Sequence, residues 1–180
     1  MNVDFAAGAI EKSRHRERAG FGDEKMCWAV IDVLDRPAFA ECYAQNCAKE
    51  FDILVEKSYC DALACGEDIP VMPWSIRPEL SHPGNLDEVK GIRIAPEAAA
   101  AIYLASVTRQ GGVWIALSYS SSRFDFLKST QHAAASLWNI ENVDNLVVWD
   151  ADTNPSRAGA VHRPQIEHYL YILRRTNTPA

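Results

Sequence analysis

Three short runs in the C-terminal half constrain the fold most. Val113-Trp114-Ile115-Ala116-Leu117-Ser118-Tyr119, Leu146-Val147-Val148-Trp149 and His168-Tyr169-Leu170-Tyr171-Ile172-Leu173 are rich in β-branched and aromatic residues. Their length and composition read as strands. Turn formers bound them: Gly111-Gly112, Ser120-Ser121-Ser122, the polar stretch 139–145, then Asn154, Pro155 and Gly159. The chain is thus expected to close on a C-terminal antiparallel sheet.

The N-terminal half reads as helical. Asp23 and Glu24 suit a helix start, and residues 26–35 read as a short apolar helix ending near Pro37. Phe39, Cys42, Tyr43, Cys47, Phe51 and Leu54 recur at three- and four-residue spacing, which predicts a second helix over 37–57 with Pro37 in its first turn. Pro70, Pro73, Pro78 and Pro83 mark the least regular stretch. Pro96 opens an alanine-rich helix over 96–109. With 180 residues, of which 48% are hydrophobic, one domain is expected. Its bounds are read as 23–175, after a flexible N-terminal segment 1–22 and before a tail 176–180. The segment holds Lys12, Arg14, His15, Arg16 and Arg18, and it is either a loosely docked helix or an export or docking piece.

Composition excludes some classes of function. A net charge of −6 disfavours nucleic acid as partner, and no run reaches the length of a membrane span. Residues 1–20 show no apolar segment after a basic start, so a cytoplasmic protein with free thiols is expected.

One constellation carries chemistry. Cys27 falls in the first turn of a predicted helix, where backbone N–H groups favour a thiolate and can hold an oxyanion. His132 opens the small-residue run His-Ala-Ala-Ala, and Asp150 ends Leu-Val-Val-Trp-Asp. Two antiparallel strands joined by a polar turn would bring the imidazole and carboxylate together. Asp152 stands two residues on as a competing orienter.

The order Cys27, His132, Asp150 resembles papain-like cysteine proteases, and more narrowly the YopT and AvrPphB type of bacterial effector protease. The resemblance rests on His132-Ala133-Ala134 and on Trp149-Asp150-Ala151-Asp152-Thr153-Asn154. It implies an α/β (α+β) fold in which N-terminal helices carrying the cysteine pack on an antiparallel sheet carrying the histidine and aspartate. It implies a thiol hydrolase acting on a protein or peptide substrate, with no cofactor and no metal, delivered into another cell by a signal-peptide-independent route. Cys27 would attack the carbonyl, His132 carry the proton and Asp150 orient His132. Two departures stand: no Gln or Asn shortly before Cys27, and Ala151 where the family has Pro. The same site would serve an amidase, a deamidase or an acyl transferase. A non-catalytic binding or adaptor protein is the competing class.

Other signals are weaker. Glu88-Val89-Lys90 is a solvated charge cluster rather than half of a nuclease site. Cys60, Cys65 and His82 lack a second ligand pair for zinc. His162 and His168 lie near the last strand. Cys42, Cys47, Cys60 and Cys65 read as small core residues.

Overall fold

The computed structural model describes residues 1–47, 49–71, 92–129, 132–147 and 167–179. A strand β1 (Asn2–Asp4) leads into helix α1 (Ala7–Phe21), and β2 (Trp28–Val30) returns to pair parallel with β1. Helix α2 (Arg36–Asn46) follows, capped by Asp35, whose carboxylate accepts from the Ala38 amide at 3.2 Å. Then come β3 (Phe51–Lys57), the short helix α3 (Tyr59–Leu63), the small antiparallel pair β4 (Ile69–Val71) and β5 (Ile92–Ile94), and helix α4 (Pro96–Ser106). Strands β6 (Thr108–Ser118), β7 (Trp138–Val147) and β8 (Glu167–Arg175) complete the chain, with two 3-10 turns, Asp125–Lys128 and Ala133–Ser136, between β6 and β7.

The main sheet has the order β3-β6-β8-β7. β3 and β6 are parallel, while β8 runs antiparallel to both β6 and β7. A parallel pair needs a crossover, and α4 supplies it on the way from β3 to β6. Ala98, Ala99, Ala100 and Ala101 are fully buried, so this helix reaches its neighbours through small side chains. Trp138 donates its indole N–H to the Ala101 carbonyl at 2.8 Å. Trp114 packs edge-on against Phe124 and Trp138 at 5.1 and 5.3 Å, and Phe124 against Tyr171 at 4.8 Å. A second cluster of Val33, Phe39 and Val107 joins the β1–β2 pair to the start of β6.

Strands β6 and β8 lie where the sequence places them, whereas β7 occupies the stretch 139–145 that was expected to be a polar turn; of the run Leu146 to Trp149 expected as a strand, only Leu146 and Val147 are described, at the end of β7. β6 begins five residues before Val113 because Gly111, at φ 75°, carries the chain through a bend. A Cβ on Gly112 would stand 3.2 Å from the Asp52 carbonyl of β3 and 2.7 Å from Thr108, so only glycine fits. The N-terminal half differs more. Residues 28–30 form a strand where a helix over 26–35 is expected. The expected helix over 37–57 stops at Asn46, with Cys47 extended, and the run Phe51-Asp52-Ile53-Leu54-Val55 becomes β3. Residues 1–22 carry β1 and α1. Glu17 of α1, buried, accepts from the amides of Lys25 and Met26 and from the Trp28 indole, which ties the helix to β2.

The papain-like arrangement is therefore not the one observed. Cys27 precedes a strand and sits on no helix, and His132 caps a 3-10 turn. A parallel β3–β6 pair heads the sheet that was expected to be antiparallel.

Trp114→Ala should destabilise the chain by about 3–5 kcal/mol through lost burial and the cavity left behind. Urea unfolding followed by circular dichroism would measure it, and a loss below about 1 kcal/mol would show that Trp114 does not anchor the core.

Candidate functional site

In open α/β sheets, ligands bind beyond the carboxyl ends of the parallel strands. Here those ends are rich in polar groups. β1 ends at Asp4, β2 runs on into Ile31 and Asp32, β3 leads into Ser58, and β6 ends at Ser118. They are neighbours: the Ile31 amide donates to the Asp4 carbonyl at 2.9 Å, and the Ser58 amide to the Leu117 carbonyl at 2.7 Å. The charge of Asp32 acts on the Tyr59 hydroxyl, which links the ends of β2 and β3.

Asp4 is half-buried, and one carboxylate oxygen accepts from the Ala6 amide at 2.7 Å, at the start of α1. Asp32 is exposed and accepts from the Leu34 amide at 2.9 Å. In each, one oxygen shapes the local turn and the second is in no hydrogen bond among the described residues.

The end of β3 holds the most unusual chemistry. Ser58 adopts φ 58°, the only non-glycine residue with positive φ among the described residues. Strained backbone of this kind clusters at ligand sites. The Glu56 carboxylate accepts from the Tyr59 amide at 2.7 Å, closing the turn. Burial nevertheless pushes the Glu56 carboxyl up to about 7, with the charge of Asp61 adding to it. Burial likewise raises the Tyr59 phenol. Glu56 Oε1, Ser58 Oγ and the Tyr59 hydroxyl are buried with no hydrogen-bond partner among the described residues, three such atoms in one turn. Orphaned buried polar atoms are destabilising unless something else bonds to them.

Asp61 fixes this turn to the sheet. Its carboxylate accepts from the Ser118 hydroxyl at 2.6 Å, the Tyr119 amide at 3.0 Å and Arg123 Nε at 2.9 Å. Burial would raise its carboxyl, but these bonds and the Arg123 charge outweigh it and hold it below the usual range.

Of the three residues expected as a triad, Cys27 and His132 are described, and no hydrogen bond joins them. The Cys27 thiol donates to Asn46 Oδ1 at 3.2 Å, beside the N-terminal end of β2 rather than at the carboxyl ends. The His132 ring accepts from the Ala134 amide at 3.4 Å and lies 5.4 Å from Phe126. Burial keeps His132 below its ordinary value, with Glu97 acting against that. Asp150, with Asp152, Glu88-Val89-Lys90, His82 and His162, lies outside the described residues.

No protein-family model matches the chain. It is 27% identical to the methyltransferase srdJ of Neurospora crassa over 173 residues, which is 96% of this chain and 55% of srdJ. Its structure matches that of the N-methyltransferase NodS of Bradyrhizobium japonicum in complex with S-adenosyl-L-homocysteine. The TM-score is 0.52 and the identity 13%, over 96% of this chain and 64% of that one. It also matches the structure described for conversion of a disulfide bond into a thioacetal group during echinomycin biosynthesis, with TM-score 0.51 and 19% identity over 98% and 66%.

The fold is Rossmann-like, of the methyltransferase kind. This overturns the papain-like fold and the effector-protease resemblance. The likeness to srdJ and to NodS likewise replaces the expected thiol hydrolase, cysteine protease or amidase, and its adaptor alternative, with methyltransferase relatives. Among the described residues, no helix is long and apolar enough to cross a membrane.

Sequence reasoning missed Asp4, Asp32 and Glu56. The signal was present as two short apolar runs each closed by an acid, Asn-Val-Asp and Ala-Val-Ile-Asp, followed by Phe51-Asp52-Ile53-Leu54-Val55-Glu56.

Glu56 and Asp61 should shape the pH dependence of stability in opposite ways. The folded chain binds the Glu56 proton more tightly than the unfolded chain, whose value is about 4.3. The contribution of Glu56 to stability is thus greatest below that value and is lost as pH rises to about 7. Asp61 is held low, so its contribution is present at neutral pH and is lost on acidification below about 3.9. Denaturant titrations across pH should show Glu56→Gln removing the loss on the alkaline side. Asp61→Asn should cost about 1–3 kcal/mol at pH 7. Identical pH profiles for native chain and Glu56→Gln would contradict the assignment.

Proposed function

We propose that this chain acts in methyl transfer from S-adenosylmethionine to a small-molecule acceptor bearing an N–H or O–H group. The observation that carries the reading is the likeness to srdJ across 96% of the chain, and the Asp4 and Asp32 carboxylates at the carboxyl ends of β1 and β2 support it. The chain spans 55% of srdJ, so both the activity and the acceptor belong to this proposal. A small acceptor replaces the protein or peptide substrate expected from the protease resemblance.

When bound, S-adenosylmethionine supplies a methyl group on a sulfonium, ready for displacement by a nucleophile. Asp4 and Asp32 would hold its nucleoside, each with the carboxylate oxygen not committed to its own turn. Glu56 takes the proton that the acceptor loses as its nitrogen or oxygen forms the new bond to carbon. A carboxyl raised to about 7 is suited to that work near neutral pH. Tyr59 and Ser58 offer buried hydroxyls beside it, without hydrogen-bond partners among the described residues. Asp61, through Ser118 and Arg123, keeps the whole turn in register with β6.

Calorimetric titration with S-adenosyl-L-homocysteine tests the cofactor site. Binding by the native chain is expected, and Asp4→Asn should weaken it about tenfold or more. Asparagine keeps the oxygen that accepts from the Ala6 amide while removing the charge-assisted bond. A native chain that binds neither S-adenosyl-L-homocysteine nor S-adenosylmethionine would sink the reading.

Once an acceptor is found, the methylation rate should rise with pH through about 7 and level above it. Glu56→Gln should lower the rate and abolish that rise. A rise that persists in Glu56→Gln would assign the proton to another group.

A further inference from the structure

Arg175 closes β8 and is only 4% exposed, yet no carboxylate among the described residues stands within ion-pair distance of it. Arginine is seldom buried without a partner for its charge. Its hydrogen bonds go to neutral oxygens. Nε donates to the Ala105 carbonyl in the last turn of α4 at 3.1 Å. Nη1 donates to the Leu137 carbonyl at 3.3 Å, and to the Thr176 carbonyl and hydroxyl at 3.0 and 3.4 Å. None of these bonds uses Nη2, which keeps both of its hydrogens for the space beside it.

That space is a cavity of about 200 Å³, walled by Arg175, Glu50, Ser106, Thr108, Gln110 and Pro179. It lies at the start of β6 and the end of β8, the opposite end of the sheet from Ser58 and Ser118. Apart from Arg175, its side chains face a ligand chiefly as acceptors. The Ser106 and Thr108 hydroxyls spend their hydrogens on the Tyr103 and Leu104 carbonyls, each at 2.7 Å. Gln110 spends an amide hydrogen on the Asn177 carbonyl at 3.1 Å, and its own oxygen is in no hydrogen bond among the described residues. Glu50 is exposed and brings a negative charge. Burial lowers the Arg175 guanidinium from its ordinary value and the Glu50 charge acts against that, so the two charges work on one another. We propose that this cavity binds a small zwitterion with the chemistry of a free amino acid, its carboxylate on Arg175 Nη2 and its ammonium towards Glu50 and the Gln110 oxygen. An anion alone would meet Glu50 and a cation alone would meet Arg175, whereas a molecule with both charges satisfies each wall. Carboxylate and guanidinium form charge-assisted bonds, and Nη2 is already unspent, so no part of the chain has to move. Sites for drug-sized ligands run to roughly 300–1,000 Å³, so this smaller one suits a ligand of few non-hydrogen atoms.

Titration of the full chain with glycine tests this, read by the Arg175 Nε–H resonance in proton–nitrogen NMR at fixed ionic strength. Glycine should shift that resonance with a Kd on the order of millimolar, as its small size dictates, and acetate should bind more weakly. Glu50→Gln should move the two in opposite directions. Glycine should weaken and acetate tighten, each by about threefold, the worth of one charge a few ångström away in water. An arginine that only caps α4 would show neither change. Arg175→Lys should weaken glycine about tenfold, because an ammonium cannot hold α4 and a carboxylate with one planar fork. Glu50 is on the surface, so its variant carries the test should Arg175→Lys fail to fold. A resonance unmoved by glycine, one moved equally by sodium chloride, or glycine affinity unchanged in Glu50→Gln would overturn the proposal.

Discussion

The parallel pairing of β3 with β6 is the constraint on which the rest depends. Two parallel strands cannot be joined by a tight turn, so the chain must leave β3, cross a face of the sheet and return. The crossover is α4, and its run of buried alanines lets it lie close over Trp114 and Trp138. The same geometry points the ends of both strands in one direction. Polar residues that follow β3 and β6 are therefore delivered to one place, where Asp61 joins them by three hydrogen bonds. Because β8 runs antiparallel to both β6 and β7, β7 ends on the same side as β3 and β6, and β8 buttresses that side: the Tyr171 hydroxyl donates to the Ser120 carbonyl at 2.8 Å and His168 packs on Tyr119.

Glu56 and Asp61 lie five residues apart and show how little separates a structural carboxylate from a chemical one. Both are desolvated. Asp61 receives a serine hydroxyl, a backbone amide and a guanidinium, and these outweigh its burial. Glu56 receives backbone amides and the Cys60 side chain but no cation, and Asp61 stands near it with like charge. Burial wins, and the carboxyl shares its proton near neutrality. Placing Arg123 on Asp61 rather than on Glu56 thus leaves one group fixed and the other free to titrate.

The sequence displays β6 and β8 well, and β7 and the N-terminal half poorly, for a physical reason. Strands β6 and β8 are buried on alternate residues or more, so their apolar and β-branched content is dense and unmistakable. β1 and β2 have three residues each, too few for any periodicity. β3 was hidden by coincidence: Phe51 and Leu54 continue the helical spacing of Phe39, Tyr43 and Cys47, although Cys47 is already extended. Its Ile53 and Val55 are 58% and 75% exposed, so the strand lacks the burial that would have told it from a helix face. The Cys27, His132, Asp150 pattern rests on an expected helix start and an expected hairpin, but Cys27 precedes a strand and the expected turn of the hairpin is part of β7. The acids at the strand ends, Asp4, Asp32 and Glu56, are single residues closing short apolar runs.

The β1–β2 ribbon gathers these themes in the smallest space. Its carboxyl ends present Asp4 and, one residue beyond Ile31, Asp32, hard oxygen groups suited to hydroxyl and amino hydrogens. Its amino ends present Cys27, whose thiol donates to Asn46 of α2, with Cys42 beside that carboxamide and Cys47 against Met1. Glu17 holds both in place. It grips the Lys25 and Met26 amides and the Trp28 indole at once, and so sets where β2 begins. A shift of β2 by one residue would exchange its faces and carry Asp32 away from Asp4 and Cys27 away from Asn46 together. The registration of three residue pairs between β1 and β2 is therefore what keeps the carboxylates at one end of the ribbon and the thiols at the other.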